Sequence, residues 1–303
     1  MTRGLHTVIK QKAVGASAVT LGSDFSFLKS STKALIVILE ALSNTGSQTL
    51  ANVLTQFGTI WKLDSDKYGT LINWQTFADQ YYYMWARDKF PPKVKQHTTD
   101  NDVIKVAFAI MFGRPDHPEE GLPASQLTMN ITLPADGNAI DTRKITIYQV
   151  TSDVGFNKFL KHEYSAHTPS TTGKKLPLPI EPRSKEILSS FFYQTTAADD
   201  STTDTTTIES MQPYRDSDEG IFEALPADVL MELWHALEFN GDANTIYDVT
   251  ETLLGNYIFV DFIKWFEHPL VPSQLDVQTE FGWNIIGGDT NAVRHYLTSL
   301  IPA

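Results

Sequence analysis

The stretch Pro123-Ala-Ser-Gln-Leu-Thr-Met-Asn-Ile-Thr-Leu133 decides the fold class, because the chain contains a second version, Pro272-Ser-Gln-Leu-Asp-Val-Gln-Thr-Glu-Phe281. In each version a proline and a Ser-Gln-Leu sequence precede alternating apolar and polar residues. Alternation with a period of two is typical of a β-strand that buries one face. The two stretches therefore predict a similar strand near the end of each of two repeated units.

The repeat extends beyond these two stretches. The offset of 148 residues between the Ser-Gln-Leu sequences also separates the apolar strands that begin at Ile145 and at Val293. Upstream, the apolar runs 33–40 and 185–192 align at an offset of 152 residues. Internal periodicity of this kind indicates one structural unit used twice. We therefore predict a tandem duplication of an all-β unit of about 150 residues.

Each unit contains one segment with helical periodicity. The first is predicted at Asn73–Lys89, where Asn73 is a suitable N-cap, and the second at Pro226–Phe239. Aromatic and apolar side chains recur in the first segment at spacings of three and four, which predicts a core-facing stripe. The stripe consists of Trp74, Phe77, Tyr81, Met84 and Trp85.

Several further strands are predicted from apolar runs bounded by turn residues. They are Asp24–Leu28, Ala34–Leu42, Val103–Phe112, Asn256–Phe266 and Val293–Ile301. Val103–Phe112 is apolar enough to predict a strand buried on both faces. The segments 116–121 and 195–207 are predicted to be exposed loops, since they are rich in proline, acidic residues, serine or threonine.

These elements divide the chain into four segments. We predict a basic N-terminal segment at residues 1–23, a first barrel at 24–160 and a second barrel at 185–303. The intervening residues 161–184 carry several prolines among serine, threonine and glycine, which is typical of a linker. At 303 residues, the chain is long enough for two domains, each with its own core.

Composition excludes some classes of function. The formal net charge of −12 does not suit a protein that coats nucleic acid. The chain has no cysteine, which excludes disulfides and thiolate chemistry. No apolar run reaches the roughly 20 residues of a membrane-spanning helix, and the N-terminus lacks the features of a signal peptide.

The first 23 residues differ in charge from the rest of the chain. They contain Arg3, Lys10 and Lys12 and precede the first acidic residue, Asp24. Apolar residues fall between these cations at roughly helical spacing, so an amphipathic segment that contacts anionic lipid or a neighbouring subunit is one interpretation. A frayed tail with incidental cations is the other.

No catalytic, cofactor or metal site is predicted. The sequence lacks a phosphate-binding glycine loop, a nucleophile elbow and a His-Glu-x-x-His motif. Glu232 and His235 have the Glu-x-x-His spacing of di-iron sites, but a di-iron site needs a second such pair and two more glutamates. Two acidic clusters, Asp64/Asp66 and Asp216/Asp218/Glu219, do not match the calcium-binding loop pattern, so solvated loops are the favoured interpretation.

The predicted chain consists of two β units. Each unit has one inserted helix, an aromatic-rich strand and a Pro-Ser-Gln-Leu or similar strand near its end. In this arrangement the chain resembles the double jelly-roll major capsid proteins. These belong to tailless icosahedral viruses with an internal membrane, of the tectivirus and corticovirus type. In size and layout the chain looks similar to the coat protein of the lipid-containing phage of Flavobacterium. The resemblance is one of architecture and repeat spacing, and it covers residues 23–301.

The resemblance implies a fold and a function. The fold is two tandem jelly-roll barrels, each with an inserted α-helix. The protein would be made in the host cytoplasm and form pseudo-hexagonal homotrimers that tile the shell of a virion. Its partners would be other copies of itself, minor capsid and vertex proteins and, through Arg3, Lys10 and Lys12, the inner viral membrane. Neither enzymatic activity nor sequence-specific nucleic-acid binding is implied.

Two other classes of function remain open from the residues alone. A tandem jelly roll can bind carbohydrate as a spike or lectin does, if exposed aromatic rings line a groove. Trp61, Trp265 and Trp283 are the candidates for those rings. A jelly-roll glycosidase would need only two carboxylates about 5–10 Å apart, which need not be neighbours in sequence.

Overall fold

The structure is a computed structural model of the whole chain, and it describes most of the residues. The statements below concern residues 5–15, 17–43, 54–58, 60–88, 93–95, 103–135, 140–195, 207–216, 219–220, 223–227, 229–230, 256–266, 269–274, 280–289 and 291–303. The chain divides into two units. Unit 1 comprises Met1–His162 with Pro302–Ala303, and unit 2 comprises Glu163–Ile301.

Among its described residues, unit 1 contains ten strands, a long helix, a helical turn at 54–56 and a short 3-10 helix at Ser23–Phe25. The strands are β1 (Leu5–Val14), β2 (Val19–Leu21), β3 (Ser30–Ser43), β4 (Ile60–Ser65), β5 (Gly69–Trp74), β6 (Lys93–Lys95), β7 (Val103–Met111), β8 (Leu122–Ser125), β9 (Leu127–Leu133) and β10 (Ile140–Ser152). The long helix, α1, is Phe77–Asp88. One sheet has the order β1-β10-β3-β7-β6, with β8 also paired to β3, and the other has the order β2-β9-β4-β5.

Unit 2 follows the same plan. Its strands are β11 (Lys158–His167, which leads in from unit 1), β12 (Lys174–Pro177), β13 (Glu186–Tyr193), β14 (Ser210–Arg215), β15 (Glu219–Gly220), β16 (Leu225–Pro226), β17 (Tyr257–Asp261), β18 (Phe281–Ile286) and β19 (Val293–Pro302). A short helix, α2, spans Phe262–Phe266. The two sheets have the orders β11-β19-β13-β17 and β12-β18-β14-β15, with β16 paired to β14.

The two units have one topology. If β6, β8 and β16 are set aside, each unit has eight strands, which pair in the order first-eighth-third-sixth in one sheet and second-seventh-fourth-fifth in the other. The paired strands are antiparallel wherever their register is described. Two packed antiparallel sheets with this Greek-key order form a jelly roll. The predicted tandem duplication and the all-β double jelly roll are therefore confirmed.

The stretch Pro123–Leu133 forms β8 and β9, and in β9 the buried side chains alternate with half-buried ones as predicted. Its second version differs, because Pro272–Gln274 is a 3-10 helix and residues 275–279 lie outside the described part. The other segments that align in sequence lie in equivalent strands of the two units. The run 33–40 lies in β3, and all of the run 185–192 except its first residue lies in β13; both are third strands. Ile145 and Val293 lie in the eighth strands β10 and β19.

In the N-terminal segment, residues 5–14 are neither a free tail nor a helix. Residues Leu5–Val14 form β1, which pairs with β10 over ten consecutive residues from Leu5↔Ser152 to Val14↔Arg143. The first barrel therefore begins about twenty residues before the predicted boundary at 24. The partner strand is more than 120 residues away in sequence, so local periodicity could not reveal the pairing.

The predicted linker at 161–184 is also part of the second jelly roll. It contains most of β11 and all of β12, the first two strands of unit 2. β12 is an edge strand that pairs with β18 from Lys174↔Ile285 to Pro177↔Gly282. Proline is tolerated at the edge of a sheet, where its missing N–H costs no ladder hydrogen bond. The proline content therefore indicated a linker where an edge strand lies.

The first helix begins four residues later than predicted. Asn73 belongs to β5, where it pairs with Lys62 of β4. The N-cap is Thr76, whose Oγ1 accepts a hydrogen bond from the N–H of Asp79 at 3.1 Å. Tyr82 and Tyr83 are buried along with Phe77, so α1 buries more of its circumference than the predicted stripe. The second predicted helix, Pro226–Phe239, lies almost entirely outside the described residues.

Three predicted strands differ in detail. The segment 24–28 begins in a 3-10 helix, Ser23–Phe25, rather than in a strand. The strand at 103–112 is not buried on both faces, because buried and half-buried side chains alternate along β7. The strand predicted at 256–266 ends at Asp261, where the side-chain Oδ1 accepts a hydrogen bond from the N–H of Ile263 (2.9 Å) and α2 begins.

Candidate functional site

Two of the three N-terminal cations, Lys10 and Lys12, lie on the barrel strand β1. Lys10 is half-buried on β1, and Lys12 forms an ion pair with Asp24, with 2.8 Å between its Nζ and the Oδ1. Arg3 lies outside the described residues. The Lys12 charge is therefore partly neutralised within unit 1.

The first acidic cluster stabilises a turn. Asp66 accepts a hydrogen bond from the N–H of Gln126 (2.9 Å) and lies 3.5 Å from the Lys29 ammonium. The backbone hydrogen bond and the neighbouring lysine lower the pKa of Asp66. Asp64 accepts a hydrogen bond from Thr70 at 2.7 Å and pairs with Lys62 at 3.1 Å. Both carboxylates thus bind groups of the β4–β5 and β8–β9 turns, which supports the solvated-loop interpretation.

The second acidic cluster is described at Asp216 and Glu219, while Asp218 lies outside the described residues. Asp216 has a positive φ of 58°, a conformation that Asp and Asn adopt more readily than other non-glycine residues. Its Oδ1 accepts a hydrogen bond from the N–H of Glu280 at 3.0 Å. This carboxylate closes a turn beside β18. Glu232 and His235 also lie outside the described residues.

A third group with metal-ligand chemistry was not predicted from sequence. Potential ligand atoms of His117, Glu119 and Glu120 lie within 4.8 Å of one another. Glu120 is only 1% exposed, and its carboxylate accepts hydrogen bonds from the Arg114 guanidinium and the Arg114 N–H. Lys33 donates hydrogen bonds to the carbonyl oxygens of His117 (2.8 Å) and Glu120 (2.6 Å). The buried Glu120 carboxylate is thus already paired with Arg114, and this pair holds the loop between the two residues.

Arg143 is another buried charged group that sequence reasoning missed. It is fully buried, and its guanidinium donates hydrogen bonds to four backbone carbonyl oxygens at 2.7–3.1 Å. The acceptors are Gly15, Ser17, Gln56 and Pro134. One side chain on β10 therefore holds three chain segments at one end of the unit 1 barrel. No local motif marks such a residue, because its acceptors are backbone atoms distant in sequence.

A histidine and two serines form a buried polar group in unit 2. The His295 Nδ1 lies 3.1 Å from the Ser165 Oγ, and its Nε2 lies 3.1 Å from the Ser190 Oγ. The Ser190 Oγ also accepts a hydrogen bond from the Trp283 indole N–H. Burial lowers the pKa of His295 to about 3, with a further contribution from His167. The ring is therefore neutral near pH 7, and it binds both serines deep inside the barrel.

Two of the three tryptophans proposed to bind carbohydrate are in the core. Trp61 and Trp283 are each 1% exposed. The Trp61 indole N–H donates to the Phe57 carbonyl oxygen at 2.9 Å. Trp265 lies in α2, and its side chain lies outside the described residues. Buried rings cannot stack on a sugar, so this pair does not form a carbohydrate-binding surface.

Comparison with known proteins gives structural matches only. No protein-family model and no curated protein sequence matches the chain. The STIV MCP, whose virus is Sulfolobus Turreted Icosahedral Virus, is 11% identical and superimposes with a TM-score of 0.64 over 98% of this chain and 97% of its own. The major capsid protein P2 of bacteriophage PM2 is 12% identical, with a TM-score of 0.63 over 100% and 98%.

A chain of the PBCV-1 virus capsid is 10% identical, with a TM-score of 0.60 over 99% of this chain and 94% of its own. All three matches therefore extend over nearly the whole length of both proteins. The chain has the double jelly-roll fold of these proteins, in agreement with the resemblance noted from the sequence. Among the described residues, no helix is long and apolar enough to cross a membrane.

Proposed function

We propose that this chain is the major capsid protein of an icosahedral virus. The observation that carries the proposal is the eight-strand jelly-roll topology, present twice in one chain with the same strand order. Capsid proteins are the matches over almost the full length of the chain. The carbohydrate-binding alternative has no comparable support.

The proposed assembly is a homotrimer that tiles a closed shell in the virion. Three chains with two equivalent barrels each place six similar barrels around a threefold axis, and such a particle packs as a hexagonal tile. Minor capsid and vertex proteins are proposed partners at the positions where hexagonal tiles do not close the shell. The acidic net charge of −12 supports a role without direct sequence-specific binding to nucleic acid.

The proposed role is structural rather than catalytic. Buried ionisable side chains in the described parts of both units bind other protein groups, as Glu120 binds Arg114 and Lys185 binds Glu163 at 3.0 Å. The neutral His295 binds two serine hydroxyls in the core. Side chains used in this way hold loops and strands in place, and this supports a shell protein without enzymatic activity.

The N-terminal cations are proposed to contact the inner viral membrane. Arg3, Lys10 and Lys12 would attract anionic lipid headgroups, by up to about 1 kcal/mol per cation near the surface and by less for Lys12, which is paired with Asp24. Because β1 is a barrel strand, the test must use point substitutions and not a deletion. We expect Lys10→Glu to reduce co-sedimentation with anionic vesicles and to leave the weak sedimentation with zwitterionic vesicles unchanged. Equal sedimentation of the variant and the parent with anionic vesicles would contradict this contact.

The solution mass of the purified full-length protein tests the proposed function. Light scattering should give a stable particle of about three times the chain mass of 33.9 kDa. A monomer at every concentration tested would contradict a shell-forming role. A glycan array on that monomer would then test the carbohydrate-binding alternative.

A further inference from the structure

Two buried histidines of unit 2 lie where its edge strand meets the rest of a sheet. β11 stands at one end of the sheet β11-β19-β13-β17, so among the described strands of that sheet it pairs with β19 alone. His167 lies at the end of β11 and His295 lies on β19, and both are buried. An element with few packing partners opens at a lower free energy than the core of its unit. The contacts of these two rings therefore contribute to holding an edge strand in place.

His295 links three strands of this sheet. Its Nδ1 lies 3.1 Å from the Ser165 Oγ of β11, and its Nε2 lies 3.1 Å from the Ser190 Oγ of β13. The Phe192 ring stacks on the imidazole with 4.6 Å between the ring centroids. Burial is the main cause of the low pKa of His295, and the nearby His167 is the second cause. Both causes oppose a positive charge on His295 while β11 is paired.

His167 is also in surroundings that oppose a positive charge. Its Nε2 is buried and has no hydrogen-bond partner in the described part of the chain. Burial and the charge of Lys174 lower the pKa of His167, against a smaller opposing effect of a backbone hydrogen bond with Lys174. Glu163, the one carboxylate of β11, forms an ion pair with the buried Lys185 at 3.0 Å. A proton on either ring is therefore costly in the folded strand and favourable once the ring is in water.

Unit 1 joins the equivalent strands with amides instead of imidazoles. Gln11 on the first strand, β1, donates a hydrogen bond to the Thr146 Oγ1 of the eighth strand, β10, at 3.1 Å. Gln149 of β10 is buried and donates to the Thr32 Oγ1 of the third strand, β3, at 2.9 Å. Amide side chains do not titrate. In the described residues, the same three strands are thus linked by groups that are insensitive to pH in unit 1 and by a titratable group in unit 2.

We propose that acid releases residues 163–167, the unit 2 part of β11, from β19 before the core of either unit unfolds. Each ring that reaches water on release raises the fraction of released strand by up to about tenfold per pH unit below about pH 6.5. Two rings together give up to about a hundredfold per pH unit. The chain passes from unit 1 to unit 2 along β11, so acid acts at this connection. The inference rests on the fold and not on the proposed shell function.

Hydrogen exchange measured by mass spectrometry on the full-length protein tests this release. Protection of the amides at 163–167 is compared at about pH 6.5, 5.5 and 4.5, after correction for the pH dependence of intrinsic exchange. The test variant is His167→Gln, and the reference amides are those of β9, which contains no titratable side chain. The matched control is His117→Gln, because the His117 side chain is 40% exposed. His295→Asn provides a second test if His167→Gln fails to fold.

We expect protection at 163–167 in the parent to fall by at least about tenfold per pH unit below pH 6.5, while β9 stays protected. In His167→Gln the fall should be smaller by up to about tenfold per pH unit, because one ring no longer takes up a proton. His117→Gln should follow the parent. An equal fall in the parent and His167→Gln, no fall in the parent, or a parallel loss of protection in β9 would overturn the inference.

Discussion

Arg143 illustrates how a single buried charge can organise one end of a barrel. Its guanidinium binds the carbonyl oxygens of Gly15, Ser17, Gln56 and Pro134. An arginine fork can satisfy several acceptors at once, whereas a lysine ammonium is a compact charge with a shorter reach. In the sequence Arg143 is one of several polar residues along β10, and nothing distinguishes it from the others, so this role could not be predicted.

Substitution of Arg143 tests that role. We expect Arg143→Lys to lower the free energy of unfolding by on the order of 3 kcal/mol, because buried carbonyl oxygens lose their donors and a buried charge loses its acceptors. Denaturant unfolding followed by circular dichroism provides the measurement. Arg215→Lys is the control, because the Arg215 side chain is 47% exposed and its ion pair with Asp216 is long, at 3.9 Å. Equal midpoints for both variants would contradict the proposed role.

The buried histidines make stability depend on pH. Burial lowers the pKa of both His162 and His295 to about 3, below the ordinary value of 6.5. Above pH 6.5 both rings are neutral whether the chain is folded or unfolded, so they add no pH dependence there. Below pH 6.5 only the unfolded chain binds the protons, so stability falls as the pH decreases towards about 3.

Replacement of one ring by a side chain that does not titrate isolates this effect. His295→Asn should reduce the slope of the unfolding free energy between pH 6 and pH 4 by about 1.4 kcal/mol per pH unit. Denaturant unfolding at several pH values in that range measures the slope. The variant is expected to be less stable than the parent at pH 7, because the contacts with Ser165 and Ser190 change. An unchanged slope would show that His295 does not titrate as its burial implies.

At the scale of elements, local patterns predicted the strands better than their boundaries. The period-two pattern in β9 and the dense apolar run in β3 correspond to what the structure contains. The predicted start of α1 was wrong, because Asn73 and Thr76 are both good N-caps and only the pairing of β5 with β4 distinguishes them. β1 and β12 were missed because their partners are distant in sequence.

Helix α1 packs through Phe77, and this contact yields a direct test. Phe77 is fully buried, with ring centroids 5.3 Å from both Trp61 and Phe108. We expect Phe77→Asp to destabilise unit 1 by several kcal/mol, on the order of 4 kcal/mol, because it removes a buried ring and buries a carboxylate. Thermal unfolding provides the measurement.

The control for this substitution is Leu28→Asp, because Leu28 is 58% exposed. Surface substitutions of this kind usually change stability by no more than about 0.5 kcal/mol. If both variants melt at the temperature of the parent, the packing of α1 against β4 and β7 is incorrect. If only Phe77→Asp is destabilised, the described core of unit 1 is supported.

At the scale of the whole molecule, the duplication was visible in sequence because equivalent strands kept their spacing. The offset of 148 residues places Ile145 and Val293 in equivalent eighth strands, and the offset of 152 aligns β3 with β13. The buried polar contacts were less predictable. The contact of His295 with Ser165 depends on which side of each strand points inward, and strand periodicity alone does not distinguish the two sides.

In the proposed assembly, each chain contributes two equivalent barrels to a threefold particle. Electron cryo-microscopy of the purified protein at assembly concentrations tests this arrangement. Averaged views along the symmetry axis should show six similar densities arranged with threefold symmetry, because both units have the same eight-strand topology. Isolated single chains, or assemblies without a threefold axis, would rule out this assembly.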